Sequence, residues 1–535
     1  MTTPPIAVPA DPDLATMPPS IEVATDATIG ARVLLAPAPS DPPTPLADEA
    51  IAWSELLAYQ EWRGRPGQVI LAPPAADGGA RLGIAGLGPM PDTPASDAED
   101  AQASRLDAIR AAAAAAARSL ADTPIAGLAL TVDPQFTNGL DPEAVLTALI
   151  DGVALSRFRF PYFRQTDPSS NQTPPRPLAM QVAESDDEAA RHAAAIDHAV
   201  QTARTLAALP PNRLNPRTLA EHAERLADAV GLACTIHDET ALERMGLRGL
   251  LTVGAAGSTP PRLIQLDWTP PHASPDEPPT LVVGKAVTFD SGGYNLKPTG
   301  GKGMKYDKCG GTAAIGIAEA VARLHHPRRL VALIPAAENL VADSAYRPDD
   351  ILTMANGLTV EVTNTDAEGR LILADALAWG TAHLHPARVI DLATLTGGAR
   401  VALGDDTAAL FCNDPRLTHA LDDAATLTGE RVWRLPLWPK HRQLLKSSHA
   451  DIVNSGERTA SSIQGAIFLS HFVGPDAPTR MPDLPWAHLD IASTATSDGN
   501  GPIFNKGPTG FGVRLVTQAL RTLDEPHPTA ADTVA

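Results

Sequence analysis

The sequence predicts an α/β protein built as two domains, on three observations. Between about residues 30 and 180, short apolar runs alternate with helical stretches, the pattern of strands packed under helices. From residue 216 onward a second set of runs is nearly continuously apolar, as strands buried inside a sheet must be. Between the two sets lies the proline-rich, polar break "PSSNQTPPRPLAM", which reads as a boundary.

Taken in order, residues 1–25 are proline-rich and read as a flexible tail. "ARVLLAPA", "QVILAPP", "RLGIAGLG" and "IAGLALTVD" then read as strands, and "AEDAQASRLDAIRAAAAAAARSLAD" as a helix that its alanine run favours. These place an N-terminal α/β domain at 26–185. A helical segment over 187–208 and the loop after it make 186–215 a link. A helix begins at Asn215-Pro216, with proline at its first position. "PRLIQLDW", "TLVVGKAVTFD", "RRLVALIPAAEN", "LTVEVTNTD", "ARVIDLATLTG" and "WAHLDIAST" follow as strands of a second domain at 216–522. The remainder, 523–535, reads as a frayed tail.

Length alone would allow about three or four domains, and the 44% hydrophobic content is enough to bury large cores. The formal net charge of -20 repels polyanions. With no basic run to offset it, the chain is a poor candidate for binding nucleic acid through its general surface. Three cysteines, widely spaced and without a C-x-x-C pair, fit a reducing compartment. No stretch approaches the roughly 18 apolar residues of a membrane span. "MTTPPIAVPADPDLATMPPS" has neither the basic nor the apolar region of a signal peptide. The expected location is cytoplasmic.

The chemistry concentrates in three segments at predicted strand ends, where ligands gather in such sheets. The first is "NTDAEGRLILADAL", from Asn364 to Leu377. In an extended segment, residues i and i+2 face the same way, so Asp366 and Glu368 share one space and Arg370 can join them. Adjacent carboxylates repel, so a positive charge belongs between them. Arg370 itself could supply it, as an ion pair on a surface turn. For this segment alone that reading is as good as the functional one.

"GKAVTFDSGGYNLKP" carries Lys285, Asp290 and Lys297. An ammonium at Lys285, inside an apolar strand end, is costly. A neutral amine bound to a metal would relieve that cost. The alternative is that Lys285 and Lys297 reach solvent or pair with acids. "GMKYDKCGGTAAIGIAEAV" puts Asp307 before a glycine pair and a helix of small residues. A lone aspartate there is more often a helix cap than a ligand.

Together the segments supply three aspartates, one glutamate and one lysine around a buried cationic centre, leaving Lys297 and Arg370 as free cations. Four acids are too many for one divalent ion, and two ions balance them. Two-metal sites serve hydrolysis. Oxygen-rich ligation suits Zn²⁺, Mn²⁺ or Mg²⁺ better than copper or haem iron. His441, His449 and His488 lie outside these segments and read as packed or solvent-facing.

These residues resemble the leucine aminopeptidase family, the di-zinc cytosolic aminopeptidases. "NTDAEGRLILADAL" looks like that family's signature. "VGKAVTFDSGGYNLKP", "MKYDKCGG", "DLATLTGG" and "WAHLDIAST…KGPTGFGVRL" resemble its other motifs in the same order. The likeness covers about 200–520; the N-terminal third matches only in being α/β. The resemblance implies a C-terminal catalytic domain with a mixed central sheet flanked by helices. It implies that Lys285, Asp290, Asp307, Asp366 and Glu368 are metal ligands, with Asp290 and Glu368 touching both of two divalent ions, Zn or Mn. Lys297 corresponds to the lysine that polarises the substrate carbonyl, and Arg370 to the arginine that holds a bicarbonate serving as general base. Met304, Thr394, Leu395 and Gly397 match positions lining the pocket for the first side chain. The implied activity is removal of the N-terminal amino acid, leucine and others, from peptides by a homohexamer.

The sequence departs from the family pattern in four places. Ala286 replaces a glycine after Lys285, and the loop between Lys297 and Asp307 is one residue short. Lys308 stands where methionine usually follows the metal aspartate. "GERTASSIQGAIFL" lacks the usual small residues. None of these removes a ligand; they bear on substrate preference. The alternative is a non-catalytic hexamer of the same fold with a DNA-binding or structural role, against which the intact ligand set and the acidic charge both argue.

Overall fold

The computed structural model describes residues 21–24, 31–37, 62–71, 80–89, 98–121, 127–160, 162–163, 178–181, 187–274, 276–298 and 300–524. The chain divides into two compact units, Met1–Gln201 with Ser497–Thr509, and Thr202–Thr496 with Gly510–Ala535.

The first unit is a six-stranded sheet of β1 (Ile21–Ala24), β2 (Ala31–Pro37), β3 (Val69–Leu71), β4 (Arg81–Gly88), β5 (Gly127–Val132) and β6 (Leu178–Gln181), in the order β1-β6-β5-β2-β4-β3. Its pairs are parallel except β3 with β4. Ile21–Ala24 corrects the expected tail, because it pairs along its length with β6. Residues 1–20 lie outside the described residues. The predicted alanine-rich helix is α1 (Ala98–Ser119), and Ala112 through Ala117 are all buried. Its small side chains let α2 (Pro142–Arg157) approach closely: a Cβ on Gly152 would lie 2.8 Å from that of Ala113.

The helix α3 (Asp187–Ala208) forms where the sequence predicts it, and α4 (Pro216–Val230) starts as expected, with the Asn215 side chain accepting from the Thr218 amide at 3.0 Å. The second unit holds β7 (Ala233–His237), β8 (Arg262–Trp268), β9 (Thr280–Gly284), β10 (Ala286–Asp290), β11 (Leu330–Asn339), β12 (Ile351–Thr353), β13 (Thr359–Glu361), β14 (Arg388–Ala393), β15 (Ala408–Cys412), β16 (Val432–Arg434), β17 (Ile452–Val453) and β18 (Trp486–Asp490). Its main sheet runs β16-β15-β18-β14-β9-β11-β8-β7, with β10 paired to β11. The centre, β18-β14-β9-β11, is parallel, while β15, β8 and β7 join antiparallel. This is a mixed sheet, and β9, β11 and β18 are buried at every residue.

Helices cover both faces. Successive strand residues point to opposite sides. Leu333 lies against α6 (Glu368–Leu384) at Gly380, and Ile334 lies against α5 (Cys309–Arg323) at Gly311. The two helices therefore sit on opposite faces of β11.

Two expectations, one of a strand and one of the tail, need correction. "LTVEVTNTD" is a strand only to Glu361, and it belongs to a separate sheet of order β12-β13-β17. Its neighbours there are short, and Val362–Ala367 leave it as turns. At the other end of the unit, α8 (Val513–Asp524) extends past the expected start of the tail, with α7 (Ser461–Leu469) preceding it in the chain. Asp524 is held by Arg388 at 2.9 Å and His326 at 3.0 Å; residues 525–535 lie outside the described residues. No helix among the described residues is long and apolar enough to cross a membrane.

Candidate functional site

The strand that the sequence shows as "TLVVGKAVTFD" breaks at Lys285. Its backbone donates to Leu392 of β14 at 3.0 Å, and pairing passes from β9 to β10. Lys285 is 2% exposed. It does not snorkel. Its side chain runs past the start of α6, where its Nζ donates to Asp307 Oδ1 at 2.8 Å and to the Thr394 carbonyl at 2.9 Å, and lies 3.0 Å from Glu368 Oε1. Gly369 makes that passage possible, because a Cβ there would come within 2.6 Å of Nζ. Gly369→Ala should push the amine off its three partners. Overpacking of this kind costs about 1–3 kcal/mol. The expected readout is a lower thermal midpoint together with reduced metal retention on dialysis.

Asp290 ends β10 and is 1% exposed. It accepts from the Gly292 amide and from Asn339 Nδ2, both at 2.8 Å. Gly292 (φ 90°) and Gly293 (φ 61°) turn the chain sharply, in a backbone region that only glycine enters cheaply. The turn brings Lys297 back over the site. Its Nζ lies 2.6 Å from Asp290 Oδ2 and also pairs with Asp366 Oδ1. Lys297 is thus not a free cation; it bridges two acids, as the pairing alternative allowed.

Asp307 closes a 3₁₀ turn, Met304–Tyr306, and does not cap the N-terminus of α5, whose cap position is Lys308. Its Oδ1 accepts from Lys285 and, at 2.8 Å, from the Thr394 hydroxyl. Its Oδ2 is buried with no hydrogen-bond partner among the described residues. Lys308, the residue in the methionine place, is fully buried, and its Nζ donates to the Leu209 carbonyl at 3.0 Å. The glycines after it let α5 settle on the strand ends: a Cβ on Gly284 would lie 2.5 Å from the Gly310 carbonyl oxygen.

Asp366 and Glu368 do converge, but from a turn and the first residue of α6 rather than from an extended segment. Carboxylate oxygens of Asp290, Asp366 and Glu368 lie within 4.8 Å of one another. Thr365 fixes the turn: its hydroxyl donates to the Gly292 carbonyl at 2.7 Å, and its carbonyl accepts from Tyr346 at 2.7 Å and Asn339 at 3.0 Å. Arg370 follows two residues on, in the first turn of α6. It is 6% exposed, donates from Nη1 to the Asn454 carbonyl at 2.7 Å, and lies over the Phe468 ring. Its Nε has no hydrogen-bond partner among the described residues. Burial pulls Arg370 down to about 10, with Glu368 and Asp490 opposing, so it remains a cation at neutral pH.

Met304, Thr394 and Leu395 are half-buried and Gly397 is exposed. Thr394 touches Lys285 and Asp307 directly. The three histidines fall as expected. His441 stacks on Trp438, His449 is exposed, and His488 is buried against Asp391 at 2.6 Å.

The electrostatics favour a divalent cation. Burial, and the charge of Glu368, push Asp290 up to about 6. Burial raises Asp307 well above its usual value, and it raises Asp366. Burial would raise Glu368 too, but Lys285 and Lys297 hold it below its usual value. Burial works against the Lys285 ammonium, yet Asp307, Glu368 and Asp290 outweigh it and raise its pKa. Four acids thus share two lysines, and three of the four resist ionisation. Added positive charge would relieve this. With the unpaired Asp307 oxygen and the converging carboxylates, the residues fit a metal. Lys285 would have to give up its proton to ligate it.

Asn339 was not legible as a site residue, although it reaches both Asp290 and, at 3.5 Å, Glu368. The available signal was a polar pair, Glu338-Asn339, closing an otherwise apolar strand.

A buried carboxylate–lysine cluster beside the strand ends of a mixed α/β sheet has the make-up of a divalent-metal site, as metal-dependent hydrolases use. The family model for the cytosol aminopeptidase family, catalytic domain, matches residues 201–517, and that for its N-terminal domain matches 41–167. A probable cytosol aminopeptidase of Roseiflexus castenholzii is 43% identical over 386 residues, 71% of this chain and 77% of the relative. One from Syntrophotalea carbinolica is 43% identical over 407 residues, 74% and 78% of the two chains. Among solved structures, the bottromycin maturation enzyme BotP in complex with Mn is 34% identical with a TM-score of 0.78, covering 92% of this chain and 99% of that one. A mutant tomato leucine aminopeptidase is 27% identical with a TM-score of 0.80, covering 96% and 98%. The chain belongs to the cytosol aminopeptidase family.

Proposed function

We propose that the protein is a two-metal aminopeptidase that releases the N-terminal residue, leucine among others, from peptides. The observation that carries this is the cluster of Asp290, Asp307, Asp366, Glu368 and Lys285, too acidic for its own two lysines. On this reading the second unit, which holds most of the expected 216–522, is the catalytic domain, the first unit, which extends the expected 26–185, is the N-terminal domain, and the location is cytoplasmic.

Lys285, Asp290, Asp307, Asp366 and Glu368 would hold two divalent ions, Zn or Mn. Bound there, they would supply Lewis acidity toward the peptide carbonyl and lower the pKa of the attacking water. Lys297, 18% exposed at its side chain between Asp290 and Asp366, faces the substrate. Its ammonium stabilises the negative charge that develops on the carbonyl oxygen. Met304, Thr394, Leu395 and Gly397 receive the first side chain. Arg370 takes no proton itself; it would hold bicarbonate, which would supply the general base. The start of α6 favours an anion at this position.

A panel of aminoacyl-amides assayed with Zn²⁺ or Mn²⁺, beside DNA-shift and phosphodiester assays, tests the reading. Hydrolysis of the amides alone supports it; DNA binding or phosphodiester cleavage without amide hydrolysis overturns it. For Arg370, bicarbonate added to carbonate-stripped buffer is expected to raise kcat, and the stimulation should vanish in Arg370→Ala with metal content unchanged. If Arg370 only steadies the loop, the variant loses metal and bicarbonate acts alike on both proteins. We also expect a homohexamer, and light scattering that gives a monomer at assay concentration would remove that part of the proposal.

A further inference from the structure

The residues around Asp490 point to a role one layer behind the cluster. Asp490 is the last residue of β18 and is 0% exposed. Its Oδ1 accepts from the amides of Leu395 (3.1 Å), Thr396 (3.3 Å) and Ala492 (3.3 Å), and its Oδ2 accepts from the Thr396 hydroxyl at 2.6 Å. That hydroxyl has one proton, and it goes to Asp490. The 2.8 Å contact between Thr396 Oγ1 and Ser462 Oγ is therefore donated by Ser462, which brings the first turn of α7 into the same network. One buried carboxylate thus gathers two successive amides and a hydroxyl from the segment that carries the expected pocket residues. The residue just before them, Thr394, gives its carbonyl to Lys285 and its hydroxyl to Asp307.

We propose that Asp490, acting through Thr396, is a positioning residue. It locks the segment Thr394–Gly397 so that Thr394 orients Lys285 and Asp307 toward the metal while Leu395 and Gly397 keep one pocket shape. The inference rests on the two-metal reading above and deepens it by linking metal affinity to preference for the first residue. Partners that orient a ligand typically account for about 10–100-fold in metal affinity or activity. A buried carboxylate that loses its donors is left with unmet acceptors, so the segment would move rather than leave Asp490 bare.

Thr396→Val removes the hydroxyl and keeps the shape; Thr396→Ser keeps the hydroxyl and drops the methyl; Asp490→Asn replaces one of the two acceptor oxygens with a donor. Three quantities are measured: the Mn²⁺ dissociation constant by competition with a chelating dye, the thermal midpoint of the metal-free protein, and the ratio of kcat/KM between alanyl- and leucyl-amides. Thr396→Val is expected to weaken Mn²⁺ binding about 10–100-fold and to change the substrate ratio, with Thr396→Ser restoring both. Asp490→Asn should follow Thr396→Val, and if it fails to fold the Thr396 pair still decides. Unchanged Mn²⁺ affinity and substrate ratio in Thr396→Val would overturn the role. So would equal losses in Thr396→Val and Thr396→Ser, which would track packing instead of the hydroxyl. A wild-type protein that binds no Mn²⁺ overturns the metal reading itself, and this inference with it.

Discussion

Stripping divalent metal with a chelator is expected to bring peptide hydrolysis to background, and Zn²⁺, Mn²⁺ or Co²⁺ to restore it. The expectation follows from charge. Asp290, Asp307 and Asp366 are all held above their usual pKa by burial, so the cluster as it stands is electrostatically incomplete. Asp366→Ala and Glu368→Ala should each lose metal and activity together. Removing a ligand should cost more than the roughly 10–100-fold typical of the partners behind ligands. The measurement is activity against metal content for each protein. Full activity in a verified metal-free preparation would falsify the two-metal reading.

The second large effect is at Lys297. Loss of one donor at a developing oxyanion costs about 10²–10³ in kcat, and Lys297→Ala should show that loss while keeping its metal. The geometry sharpens the test. Lys297 bridges Asp290 and Asp366, so without metal the variant leaves those acids facing each other and should be less stable than wild type. With metal bound the repulsion is offset and the stability gap should close. Elemental analysis decides the assignment: a Lys297→Ala protein lacking metal makes Lys297 part of the metal site's support rather than the oxyanion's partner.

Much of the site was readable because its residues come from segments between Lys285 and Arg370, each with local signs such as Gly292-Gly293, Gly310-Gly311 and the Asp366/Glu368 spacing. Helix starts were readable for a similar reason, since Asn215 and Pro216 act within one turn. What escaped the sequence depends on partners far along the chain. Nothing near "LTVEVTNTD" tells that β13 pairs with β17, some ninety residues later, and not with the main sheet. Asn339 matters only because β11 ends beside β10, and Lys297 is bridged rather than free only because the glycine turn folds it back. Ile21–Ala24 looked like tail because its partner, β6, is more than 150 residues away.

The strand order carries a consequence for how the second unit is made. β14 and β15 are consecutive in that sheet's chain order, yet they never touch; β18 lies between them, and it is the last strand of the sheet to be synthesised. Long-range pairings of this kind close late in folding. Until residue 490 is available, the sheet remains two separate pieces, with a gap between β15 and β14 at one end of its parallel centre. The carboxylates and lysines already lie on one of those pieces, but the carboxylate that fastens Thr396 arrives with the closing strand. A nascent or nicked chain ending before Trp486 would carry the whole carboxylate–lysine cluster and still lack the carboxylate that fastens the segment holding Thr394 against it, so the completed sheet and the completed cluster are reached in the same step.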